Sequence, residues 1–247
     1  SVAANGAKLY KYNVDLLSDV IRFASKSQEW SVCASAFERL ESIPRSRWNW
    51  RAYTFVIDYL QDRVEIADPS ECIHLERMMQ KYIASYKKLH DERAWVAEAE
   101  LYLSKGQKGK AITVLKDCVE KIRVVSQACA KLSDILLEEG NYNEVIEYAS
   151  IGIRSTAQEQ PSANIGYLVY VSALAKDAMI HEDEMKSNGE AGRGYRDMER
   201  VKDALSDYEL AVNLTMSMPF ILNIDQRVKI LRAKSGMKPM NRDVDPK

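Results

Sequence analysis

Residues able to do chemistry are few and scattered in this chain. The three histidines, His74, His90 and His181, stand far apart, and no HExxH or Cys/His cluster supplies zinc-ligand spacing. One acidic run, His181-Glu182-Asp183-Glu184, offers oxygen and imidazole ligands for a cation. Consecutive helical residues point in different directions, so the run reads as a solvated helix end. Gly189, Gly192 and Gly194 spell G-E-A-G-R-G, which superficially suggests a phosphate loop. It lacks the GK[ST] ending and no strand precedes it, so neither a nucleotide cradle nor a dinucleotide turn follows. No Gly-x-Ser-x-Gly elbow occurs, and no cysteine has a neighbouring histidine to activate it. The expectation is a non-enzymatic chain with no catalytic residue, no metal site and no cofactor.

Recognition chemistry is better represented. Residues 47–61 hold Trp48, Trp50, Tyr53, Phe55 and Tyr59, interleaved with Arg51 and Asp58. Aromatic residues and arginine dominate interface energetics once desolvated. Rings on helices are also the usual core material, so part of this cluster must pack against the helix expected over Glu71–Leu89. The net charge of −1 and a pI near 6.4 give no electrostatic case for nucleic acid as a partner. No apolar run reaches membrane-span length and no signal-peptide pattern opens the chain. The first residue is Ser1 rather than methionine, so a processed protein or a fragment of a longer one is expected. Cys33, Cys72, Cys118 and Cys129 sit singly among apolar neighbours at helical spacing. Buried reduced thiols and a cytoplasmic location follow. Asn213-Leu-Thr215 matches a glycosylation sequon but lies within an expected helix, and we read it as coincidence.

The elements that would position these residues come from a repeated stretch. Residues 92–125 and 126–160 read as two copies offset by 34, with Gly106 over Gly140, Ala111 over Val145, Ile112 over Ile146 and Cys118 over Gly152. Each copy has two amphipathic stripes at i, i+3, i+4 spacing, broken by a glycine suited to a positive-φ helix end. Each pair leaves a face that the next pair must cover. No β-branched alternation of strand length appears, so the fold class is all-α. The reading is one helical repeat domain over 1–236, with pairs at about 14–46, 47–90, 92–125, 126–160 and 161–218. An insertion at 182–197, a capping helix at 220–234 and a disordered tail at 237–247 complete it.

This pattern resembles the tetratricopeptide repeat family. Trp95, Ala99, Tyr102 and Ala111 stand where that family has its large, small, aromatic and small positions, and Gly140-Asn141-Tyr142 matches its turn. Val145 and Gly152 replace the alanines expected in the second copy. The resemblance implies a right-handed α–α superhelix that binds a protein or peptide along its concave face. With Arg47 as the first position of a repeat, Trp50, Tyr53 and Ile57 take packing positions, while Trp48, Arg51, Phe55, Asp58 and Tyr59 line the groove. Arg93 and Glu100, then Gln127 and Asp134, then Tyr167 and Tyr170 would continue it. Clamps for acidic chaperone tails use Lys and Asn at two of these places. Here Arg51/Phe55, Val96/Glu100 and Ala130/Asp134 carry the wrong charges, which argues against that subtype. The expected function is a binding scaffold. The alternatives are the peptide-sensing part of a bacterial transcription regulator, and a structural adaptor in an envelope or multiprotein assembly.

Overall fold

The computed structural model describes residues 13–156, 163–186, 198–214 and 218–235. Within them lie eleven α-helices and two short 3-10 turns, and no strand. Residues 1–12, most of the expected insertion (187–197) and the expected tail (237–247) fall outside the described residues. The chain divides into two compact units, residues 1–114 and 115–247. No helix among the described residues is long and apolar enough to cross a membrane.

The first unit contains α1 (Val14–Lys26), α2 (Trp30–Glu41), α3 (Trp50–Ile66), α4 (Pro69–Tyr86) and α5 (Glu92–Ser104), and ends within α6 (Lys108–Lys121). Side-chain caps set the helix starts. Asn13 accepts from the Leu16 N–H at 3.0 Å, and Asn49 from the Ala52 N–H at 3.2 Å. Asp68 accepts from the Ser70 and Glu71 N–H groups at 2.9 Å, with Pro69 opening α4. Each such cap contributes about 1 kcal/mol. Consecutive helices α1–α2 and α3–α4 pack together, and α3 also covers α1. Rings fill the space between them. Trp48 stacks on Tyr82 at 5.7 Å and Tyr53 on Tyr86 at 5.2 Å, while Phe37 meets both Tyr59 and Tyr82 at 5.9 Å. The helix expected from Arg47 begins only at Trp50, because Arg45–Arg47 form a 3-10 turn and Asn49 is the cap. Helix α3 continues to Ile66.

The second unit takes the remainder of α6, then α7 (Ser126–Glu138), α8 (Tyr142–Thr156), α9 (Ala163–Lys186), α10 (Met198–Leu214) and α11 (Met218–Ser235). Each helix from α7 onward packs on the next described one, and α7 also contacts α9. Gly152 is the point of closest approach. A Cβ there would lie 2.8 Å from both Cys129 Cβ and Leu168 Cδ1. Val169, Ala173, Val201, Ala204, Tyr208 and Ala211 continue the core towards Ile224 and Leu231 of α11. Asp177 is buried, and its Oδ2 accepts from Arg227 Nη2 at 2.6 Å and from the Tyr208 hydroxyl at 3.1 Å. That triad ties α11 to α9 and α10.

The repeat is visible in both turn and burial. Gly106 and Gly140 hold φ of 68° and 74°, in the left-handed region that favours glycine. The Gln107 N–H donates to Tyr102 O, and the Asn141 N–H to Leu136 O, each at 2.9 Å. These are the reverse bonds that close a glycine-ended helix. Ala111 and Val145, and Cys118 and Gly152, are buried in both copies. The acidic run lies within α9, so residues 182–186, expected in the insertion, are helical. His181, Glu182 and Asp183 are exposed there, and no three ligating side chains gather for a metal among the described residues.

Candidate partner-binding face

On α3, Arg51, Phe55, Asp58 and Asp62 recur at steps of three and four, which places them on one side of the helix. The opposite side supplies Ala52, Tyr53, Val56, Ile57 and Leu60 to the core. Helix α1 meets this strip in four successive contacts. Asn49 Nδ2 donates to Asp15 at 2.7 Å, and Arg51 Nη2 to Asp19 at 2.5 Å. The Arg22 guanidinium then lies 5.2 Å over the Phe55 ring, and Ser25 Oγ donates to Asp62. These contacts hold the side chains of Arg51, Phe55 and Asp62 in place.

Helix α5 supplies the other margin. Arg93 is held by both carboxylate oxygens of Asp91 and lies 3.8 Å over the ring of Trp50, which is 42% exposed. Glu100 is half-buried on the same helix. Between the margins stands Asp58. Its side chain reaches solvent, yet the surrounding helices displace much of its water. That desolvation, reinforced by the negative charges of Asp62 and Glu100 and opposed by Arg22, pushes its pKa up to about 6.

Two residues expected on this face belong to the core. Trp48 is 3% exposed and donates its indole N–H to Ile43 O at 3.2 Å, and Tyr59 packs against Trp30 and Phe37. Trp48 precedes the Asn49 cap, so helical phase does not govern where it points. The same shift turns Trp50 outward, where a packing role was expected. Tyr59 borders the α3 strip but is covered by α2. Asp19, Arg22 and Asp62 also belong to this face, although none was among the residues expected there. Extending the spacing of 51, 55 and 58 by four residues would have found Asp62. Nothing in the first pair anchored a register for Asp19 or Arg22.

In the second unit, the Tyr167 hydroxyl donates to Asp134 at 2.5 Å, and Tyr170 lies 6.3 Å from Tyr167 and from Tyr208. Burial raises the Asp134 carboxyl despite that bond, and burial together with Asp134 raises the Tyr167 phenol. Gln127 is exposed two turns before Asp134 on α7. The Tyr167–Asp134 bond joins α9 to α7, and the Tyr170–Tyr208 contact joins α9 to α10.

An all-α chain whose helices pack in adjacent pairs, with a left-handed glycine turn recurring after 34 residues, is a helical repeat protein. Residues 92–120 match the family model of the tetratricopeptide repeat. That stretch holds α5 and nearly all of α6, and the resemblance read from the sequence is specific there. A repeat of this family points to protein partners. No curated protein matches the chain.

Proposed function

We propose that this chain is a non-enzymatic scaffold that docks a protein or peptide segment on the α3 face. Arg51, Phe55 and Asp58 would make the central contacts, with Arg93 and Glu100 at the margin. Gln127, Asp134, Tyr167 and Tyr170 are the corresponding positions of the later repeats, by the register that the tetratricopeptide resemblance implies. The observation that carries the reading is the accessible strip of α3, whose Arg51, Phe55 and Asp62 side chains are held by α1. Such prearranged rings and arginines are what a partner can desolvate with most gain. The buried Trp48 is unsuited to probing this surface. We therefore expect Arg51→Ala combined with Phe55→Ala to abolish capture of a partner from native lysate, read by mass spectrometry, with far-UV circular dichroism unchanged. A partner retained by the double variant would move the working surface elsewhere.

A further inference from the structure

The charges on the α3 face do not cancel. Arg51 is matched by Asp19, and Arg93 by Asp91. Asp62 accepts a neutral hydroxyl from Ser25. Asp58 makes no hydrogen bond or ion pair among the described residues, and Asp62 and Glu100 both press negative charge upon it. The one opposing cation is Arg22, whose guanidinium rests over Phe23 at 5.6 Å and Phe55 at 5.2 Å. A carboxylate left without its own cation beside a ring is complementary to a ligand that brings both a cation and an apolar group.

We propose that the α3 face selects a cationic peptide segment, seating an Arg or Lys side chain against Asp58 and an adjacent apolar side chain on Phe55. This rests on the docking reading above and adds the chemistry of the partner. An acidic segment would meet Asp58, Asp62 and Glu100 with like charge and is excluded by the same arrangement. Where the peptide neutralises Asp58, it relieves a carboxylate that the folded chain holds with difficulty. Binding should therefore weaken as pH falls through about 6, where Asp58 takes up a proton. The charged groups that act on it are Arg22 from α1, Asp62 from its own helix and Glu100 from α5. None is a histidine, so a midpoint in that range belongs to the carboxylates.

The test is selection of random dodecamer peptides on the full chain at pH 7.5. Enriched sequences are then made with a fluorescein label and titrated by anisotropy. The expected result is enrichment of Arg or Lys beside an apolar residue. Asp58→Asn should weaken these peptides about tenfold, the loss of one charge-assisted hydrogen bond, as should replacing the peptide's Arg or Lys by Gln. Phe55→Ala should weaken them as well, and affinity should fall between pH 7.5 and 5. Peptides that need Phe55 but tolerate both Asp58→Asn and the Gln replacement would overturn the cationic assignment and leave the docking face standing. Peptides indifferent to Phe55→Ala and Arg51→Ala alike, or no enrichment at all, would overturn the docking reading together with this inference.

Discussion

In residues 1–114 the helices meet through rings. Trp48 lies nearly parallel to Tyr82, Tyr53 to Tyr86, and Phe37 bridges Tyr59 and Tyr82. In residues 115–247 the α7–α8–α9 contact closes on a glycine, with Cys129 and Leu168 against its Cα hydrogens, and alanines populate much of the core beyond. Ring layers bury large areas and add about 0.5–1.5 kcal/mol per well-placed pair. Small-residue contacts bury little per side chain but leave no room for an added atom. The first unit should thus suffer most from subtraction, and the second from addition. The accessible strip of Arg51, Phe55, Asp58 and Asp62 lies on the ring-packed unit, on the side of α3 that faces away from those rings.

The largest effect that would test this contrast is Trp48→Ala. Removal of a fully packed indole should destabilise the protein by about 3–5 kcal/mol, measured by urea unfolding. A loss below about 1 kcal/mol would remove the ring layer from the account. Next comes Gly152→Ala, whose new methyl overlaps two neighbours at 2.8 Å. We expect about 1–3 kcal/mol of destabilisation. Its control is Gly109→Ala, where an added Cβ meets nothing within 4 Å. There helix propensity should stabilise by at most about 1 kcal/mol. Equal effects at the two glycines would break the comparison.

The smallest effect has the opposite sign. Asp58 titrates at about 6 in the folded chain against an ordinary 3.8. The stability it contributes is therefore full below 3.8 and is lost as pH rises through about 6. At pH 7.5, Asp58→Asn should stabilise the chain, by less than about 1 kcal/mol because the side chain is exposed and solvent-screened. The difference should vanish below pH 4. A flat difference across that range would show that the carboxylate bears no strain. A variant that gains stability while losing the peptide would mark Asp58 as a residue kept for binding.

Much of the architecture was legible because its causes are local. Positive φ demands glycine at 106 and 140, and a side chain that caps backbone N–H groups starts α4 at Asp68-Pro69. Apolar spacing then decides which side of each helix turns inward. The candidate face was legible only in part. Arg51, Phe55 and Asp58 keep the phase of α3 and lie where that phase puts them, but Trp48 and Trp50 exchange roles. The exchange hinges on one residue, Asn49, whose cap begins the helix three residues later than the register assumed.

The sequence by itself determined an all-α chain, a 34-residue repeat and a family likeness at residues 92–120, since periodicity and backbone preference act over a few residues. Tertiary structure alone decided that α1 completes the α3 strip through Asp19, Arg22 and Ser25, and that Asp58 is left without a cation of its own. It also decided that Gly152 has no room for even a methyl group. These depend on distances between helices remote in the chain, and no spacing rule within one helix carries that information.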